Sequence, residues 1–323
     1  MADLEFTMSL LGRQGSPGTP ELLSGEVPIA GAVAHAKREK DTDATTAAML
    51  ALKYDVGEMS IGSFTHARDQ GIPLKALPVF FARMFPHRGV FVSPTAGIKQ
   101  PSDLRGKRVG VRQFWMSASI WNRLVMHQEY GIDMRDIHWV TCQAERLDTL
   151  ELPPNAKRSP RGVNNPRELF LAGDVDAVTV PGGSGPEGTV GLFPNAVAAQ
   201  VDYYKRTGVY PTHHIVAIKE DLARREPWLV ENLCNAFQTA KELSRKRAGK
   251  ELAEPSEFPG EPIVGLSPEE TEKLFGPDPL PYGITPNRKT LEAFFDGAVA
   301  QGLTKRRLTI DEFFAPHVPA RFR

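Results

Sequence analysis

Three short stretches of this chain gather groups able to do acid–base or anion-binding chemistry, each where a strand candidate ends. In Glu58-Met59-Ser60 a carboxylate and a hydroxyl follow the strand candidate Tyr54–Val56, at the end of the strand where open α/β sheets bind ligands. A solvated turn accounts for the same residues. In Phe80–Arg88 the Arg83 fork and the His87 imidazole sit among Phe80, Phe81, Phe85 and Met84. Arginine suits bidentate capture of a carboxylate, and aromatic neighbours exclude water and stack a flat ligand. The competing reading is an aromatic core with Arg83 and His87 reaching outward. In Arg112–Ser119 a strand gives way to a helix starting at Ser117. A helix N-terminus in that place offers free N–H groups and a positive dipole end, an anion seat, although Ser117 is also a plain N-cap candidate. His213-His214 precede the strand Ile215–Ile218. Neighbouring strand side chains face opposite ways, so at most one of the two faces a given cleft. The spacing of Glu58, His87, His213 and His214 does not favour a metal site, and His35, His66, His127, His138 and His317 have no cluster partner.

Other chemistries lack their signatures. No GxGxxG opens a helix, and GxxxxGK[ST], GxSxG, HExxH and CxxC are missing. PGGSGPEG at 181–188 is a Gly-rich loop without the Lys and helix of a phosphate loop. Lys+Arg and Asp+Glu both number 39 in 323 residues, so the balanced charge argues against a nucleic-acid or membrane-surface partner. Two cysteines, Cys142 and Cys234, exclude a disulfide framework and a Cys-rich zinc site, and reduced buried thiols are expected. No apolar run reaches the roughly 20 residues of a membrane span. The opening MADLEFTMSLLGRQ carries Asp3 and Glu5 and no basic region before an apolar core, so it does not read as a signal peptide and a cytoplasmic location is expected.

The elements that must position these groups alternate. Strands are expected at Glu5–Leu11, Val27–Val33, Tyr54–Ser60 (leading to a loop), Leu74–Phe81, Gly89–Ser93, Arg108–Val111, Ile137–Cys142, Ala177–Val180 and Ile215–Ile218. Helices are expected at Thr45–Lys53, Ser117–Tyr130 with Gly131 as its stop, Asn165–Leu171, Glu226–Ser244, Ser267–Phe275 with Ser267 as N-cap, and Asn287–Gln301. Such alternation predicts an α/β protein with largely parallel sheets. Residues 249–290 hold eight prolines and read as an irregular surface excursion, while 13–43 show little pattern.

Seven segments in order, YDVGEMSIGSF (54–64), PVFFARMFPHRGVFV (78–92), DLRGKRVGVRQFWMSASIWNRLVMHQEYGI (103–132), LFLAGDVDAV (169–178), YYKRTGVYPTHHIVAI (203–218), PWLVENLCNAFQTAKE (227–242) and LTIDEFFAP (308–316), resemble the 4,5-dihydroxyphthalate decarboxylase family. That family is related to the solute-binding proteins of ABC transporters. The resemblance implies a two-lobed, periplasmic-binding-protein-like (type II) α/β fold with a ligand cleft between lobes. Lobe one would be 1–94 plus 212–323 and lobe two 95–211, with crossings near 92–98 and 209–214. It implies a carboxy-lyase of aromatic catabolism that removes CO₂ from a hydroxylated, phthalate-like acid by protonating the ring carbon, with no cofactor, because the ring itself accepts the electrons. His87 or His214 would be the general acid, and Glu58 would take the phenolic proton. Arg83, Arg13 and the Ser117 helix end would hold carboxylates. Ser60, Gln113, Met116, Trp121 and Phe85 would complete the substrate wall. The sequence departs from the family pattern over 13–43, at Gln113, where a carboxylate is more usual, and at Trp115, where a smaller polar residue is. A solute-binding protein that holds a small acid without chemistry is the alternative, and the expected partner is a small aromatic acid, with a homo-oligomer left open.

Overall fold

The computed structural model describes residues 4–12, 16–247 and 263–323, so Arg13 and the part 249–262 of the Pro-rich stretch lie outside the described residues. Among the described residues eleven strands run in chain order: β1 (Leu4–Leu10), β2 (Ala32–Arg38), β3 (Val56–Ser60), β4 (Leu74–Arg83), β5 (Val90–Val92), β6 (Arg108–Val111), β7 (His138–Thr141), β8 (Ala156–Arg158), β9 (Ala177–Thr179), β10 (Val190–Gly191) and β11 (Thr212–Lys219). They form two sheets, ordered β2-β1-β3-β11-β4 and β10-β5-β9-β6-β7-β8. Each sheet has a parallel block, β2-β1-β3 in the first and β9-β6-β7-β8 in the second.

The antiparallel strands are those by which the chain enters a sheet from the other lobe. β11 runs against β3 and β4, and β5 against β9 and β10. A strand arriving across the cleft starts where the parallel strands end, so it must point the other way. This puts His214, near the start of β11, opposite Ser60, the last residue of β3. The first crossing falls at 84–89, earlier than 92–98. Val90–Val92 hydrogen-bonds into the second sheet, and Phe91 packs on that lobe's small core of Val140, Leu169, Val175 and Val178.

Other differences have local causes. The second strand is Ala32–Arg38, not Val27–Val33: alanines alternating with polar residues suffice on an exposed edge, while Val27 and Ile29 are buried outside it. β3 runs straight into a helix, Ile61–Asp69, where a loop was expected. No Gly or Pro separates the two, so nothing in the local sequence marks the change. The helix expected at Thr45–Lys53 starts at Thr42, capped by Asp41, whose carboxylate accepts from the Ala44 N–H at 2.8 Å.

The helix Ser117–Tyr130 is as expected, with Gly131 at φ 61° as its left-handed stop. It packs against the helix Arg288–Ala300 of the other lobe: the Trp121 and Phe294 rings are 5.1 Å apart. Gly297 lies so close to Leu124 that a Cβ would sit 2.9 Å from Cδ1. One continuous apolar core thus runs through both lobes and fixes the second lobe's helix end against the first sheet.

Candidate active site between the sheets

Glu58 occupies the middle of β3 and is fully buried. In the antiparallel register it shares a face with Ser60 and with His214, its diagonal neighbour on β11. The His214 Nδ1 is 2.7 Å from Glu58 Oε1. Ser16 donates its hydroxyl to the same oxygen at 2.8 Å, and the Leu11 N–H reaches Oε2 at 3.4 Å. The β3 backbone here is held by Thr45, whose hydroxyl donates to the Glu58 carbonyl at 2.7 Å. A buried carboxylate against Nδ1 places the neutral ring's proton on Nδ1 and directs Nε2 outward, to 3.5 Å from the Thr42 hydroxyl. Glu58 itself stands behind the imidazole, not in the wall of the cavity.

That cavity is bordered by Thr42, Ser60 and His214 on one side and by Arg112, Met116, Ser117 and Arg146 on the other. Its free volume is about 10 Å³, the room of about one water, against the ~300 Å³ or more of a ligand pocket. That space is too small for an aromatic ring in this arrangement of the two lobes. Ser117 is not the N-cap of its helix; Met116 holds that position without a side-chain bond. Ser117 spends its hydroxyl across the cleft, 2.7 Å from Ser60 Oγ, and accepts the Gly62 N–H at 3.1 Å.

Sequence reasoning missed Arg146 and assigned Arg112 no role. Arg146 donates Nε–H to Asp43 Oδ1 at 2.5 Å, and Arg112 Nη2 lies 3.7 Å from the same oxygen. Burial pushes the Asp43 carboxyl up, but the two guanidinium charges outweigh it and hold it below the ordinary aspartate value. Gln113 and Glu145 set the arginines side by side. Gln113 donates to the Ala144 carbonyl at 2.7 Å, and Glu145 accepts the N–H groups of Phe114 and Trp115 at 2.7 and 3.0 Å. No periodicity marks 143–152, so the sequence offered no signal for Arg146.

The remaining expected residues lie elsewhere. Arg83 donates to Asn287 Oδ1 at 2.6 Å and to the Pro281 carbonyl at 3.0 Å, with its guanidinium 4.9 Å from the Tyr210 ring centroid; it is buried under the C-terminal segment and does not border the cavity. Ala82, at φ 53°, breaks the regular alternation of β4 just before it. His87 is buried in the turn between the sheets, its ring 5.1 Å from Phe193, and burial takes its pKa down to about 4. Phe85 stacks on Tyr210 at 5.1 Å in the same region. Trp121 is fully buried and donates to the Thr212 carbonyl at 2.8 Å, anchoring the start of β11. His213 also borders the cavity, but its Nε2 turns back to the Met84 carbonyl at 3.1 Å, and burial takes its pKa down to about 3. Of the two, His214 is the one bonded to Glu58. Among the described residues no three His, Cys, Asp or Glu side chains gather as a metal site.

Comparison with known proteins agrees with this architecture. The periplasmic aliphatic sulphonate binding protein SsuA of Escherichia coli superposes with a TM-score of 0.56 at 14% identity, covering 98% of both chains. The desulfurization enzyme DSZB does so with a TM-score of 0.54 at 16% identity, covering 98% of this chain and 97% of its own. The fold is that of the type II periplasmic binding proteins, the two-lobed α/β class. The family model described as NMT1/THI5 like matches residues 33–151. The 4,5-dihydroxyphthalate decarboxylase of Comamonas testosteroni is 30% identical over 277 residues, 81% of this chain and 82% of that one. The protein of the same name from Pseudomonas putida is 31% identical over 135 residues, 40% of this chain and 52% of that one. The chain belongs to the 4,5-dihydroxyphthalate decarboxylase family, and it is a carboxy-lyase.

Proposed function

We propose that this carboxy-lyase removes CO₂ from a hydroxylated, phthalate-like aromatic acid, without a cofactor, in the cleft between its sheets. The observation that carries the reading is the buried Glu58–His214 pair facing two arginines and a helix N-terminus across one closed cavity. Arg112, Arg146 and the first N–H groups of the Ser117 helix grip a carboxylate. His214, as imidazolium, gives its Nε2 proton to the ring carbon bearing the departing carboxylate, and Glu58 stabilises that charge from Nδ1. The ring hydroxyls feed electrons toward this carbon. The C–C bond then breaks, its electron pair restores the aromatic ring, and CO₂ leaves. His214 ends neutral and regains its proton from water when the lobes open. Glu58 thus holds the acid in place instead of taking a phenolic proton. Closure keeps water from the protonated ring intermediate.

The direct test is CO₂ release from a panel of dihydroxyphthalates and dihydroxybenzoates. Turnover of one or more is expected. If none is turned over while one raises the melting temperature, the protein binds without catalysing and the enzymatic mechanism fails.

A further inference from the structure

We propose that a cavity at the end of the first sheet far from the cleft binds a small organic monoanion, a single carboxylate on an apolar body. The site stands apart from the decarboxylase reading and does not depend on it. β4 is the last strand of its sheet, and the C-terminal segment covers its edge through a bridge between Ala76 and Phe314. That cover is pinned at two places. The Ala315 N–H donates to the Ala76 carbonyl at 2.8 Å, and the Ile284 N–H donates to the Phe322 carbonyl at 2.7 Å. Beside these ties lies a cavity of about 450 Å³, within the range of ligand pockets. Lys75 borders it and pairs with Ile218 on β11, whereas His214 of the cleft pairs with Phe81, further along β4. At about 3.3 Å per strand residue the two sites are about 20 Å apart.

The floor of the cavity is apolar: Ile284, Phe314 and Val318 border it and are buried. Charged groups stand around that floor. Glu220 is held by Arg68 at 3.1 Å and by Arg224 at 3.6 Å, and Arg288 lies 3.5 Å from Glu292. Asp311 is exposed at the rim. Lys75 and Arg323 reach neutral oxygens instead. The Lys75 Nζ donates to the Glu312 carbonyl at 2.8 Å, and Arg323 Nε donates to the Val318 carbonyl at 3.1 Å. Lys75 is half-buried, and its other two N–H groups meet no acceptor among the described residues. Burial and the Arg68 charge lower its pKa, outweighing the pull of Glu220 and Glu312, which stay beyond ion-pair distance. An ammonium so placed gains from a carboxylate. The rest of the wall sets the ligand's class. An inorganic anion would leave the apolar floor uncovered, and a polyanion would meet Glu220 and Asp311. One carboxylate on a flat or branched hydrocarbon body suits both the ammonium and the floor.

The test titrates the full chain with 1-naphthoate and with its neutral analogue 1-naphthamide, by calorimetry, in an Arg146→Gln background that weakens anions in the cleft. The acid is expected to bind at least about tenfold tighter than the amide, the weight of a hydrogen bond to a charged group. Lys75→Gln keeps a donor for the Glu312 carbonyl and should abolish that difference, whereas Lys75→Arg should retain it. Val318→Trp fills the floor and should cost both probes about tenfold or more. If Lys75→Gln does not fold, Arg288→Glu at the exposed rim serves in its place and should weaken the acid about threefold while sparing the amide. Equal affinity for acid and amide, a difference that survives loss of the charge, or no saturable binding of either probe overturns the proposal. The decarboxylase reading fails separately, as the lack of CO₂ from every hydroxylated acid, and that result leaves these titrations readable.

Discussion

At the scale of single residues, the proposed chemistry depends on a carboxylate that does not border the cavity. Glu58 has no solvent exposure and three partners to its side chain among the described residues, so in the proposed mechanism its work is to fix His214. His214→Asn should lower kcat at least about 100-fold, the lower end for general acid–base catalysis, with the melting temperature little changed. Glu58→Gln should lower kcat with a nearly constant KM, since the ring is misdirected but the arginines still bind. A KM effect without a kcat effect would place Glu58 in substrate contact instead. Glu58 and His214 stood out in the sequence as polar groups beside strand candidates, although both lie within the strands β3 and β11. That the two would touch was not legible, since 156 positions separate them and only the register of β11 on β3 joins them. Arg83 misled because a cation among aromatics suits a ligand pocket and a buried structural site equally. Here Asn287 and Tyr210 claim it.

At the scale of elements, legibility followed punctuation. The helix Ser117–Tyr130 could be bounded because its apolar period ends at a glycine, and Ser267 with Glu270 announces its helix through a capping box that the structure contains. The junction at Ser60–Ile61 has no such mark, yet it brings Gly62 against the second lobe. A Cβ at Gly62 would stand 2.8 Å from Ile120 Cδ1 and 3.2 Å from the Trp115 carbonyl. The side chain can yield, but the backbone oxygen belongs to the loop that Glu145 pins. Gly62→Ala should therefore wedge the cleft rather than unfold either lobe. The expected cost is about 1–3 kcal/mol in urea unfolding, the usual range for overpacking. It should come with a larger radius of gyration in small-angle scattering and weaker phthalate binding. A variant as compact as the parent would show that this contact does not hold the lobes shut.

At the scale of the whole molecule, the chain crosses twice between sheets, and the crossings bury histidines that the site does not use. His87 lies in the first, and His213 opens the strand that completes the second. Burial lowers their pKa values to about 4 and about 3, whereas an unfolded histidine titrates near 6.5. Below pH 6.5 the unfolded chain therefore binds protons that the folded chain refuses, so stability falls with pH from about 6.5 downward. Aspartates such as Asp43 and Asp55 are held below their ordinary value in the fold, so their contribution is lost only as the pH falls below about 4. In the window from pH 6.5 to 4.5 the buried histidines carry this loss, while Glu145, which burial holds above the ordinary glutamate value, acts in the opposite direction. One histidine displaced as far as His87 accounts for about 2 kcal/mol of lost stability across it. His87→Leu keeps an apolar group against Phe193 and Tyr203 and removes the titration. Urea midpoints measured at the two pH values should differ less in this variant than in the parent, by an amount equivalent to about 2 kcal/mol. Equal slopes would mean that the crossing opens to water before the lobes unfold, and that His87 takes up its proton in the folded protein.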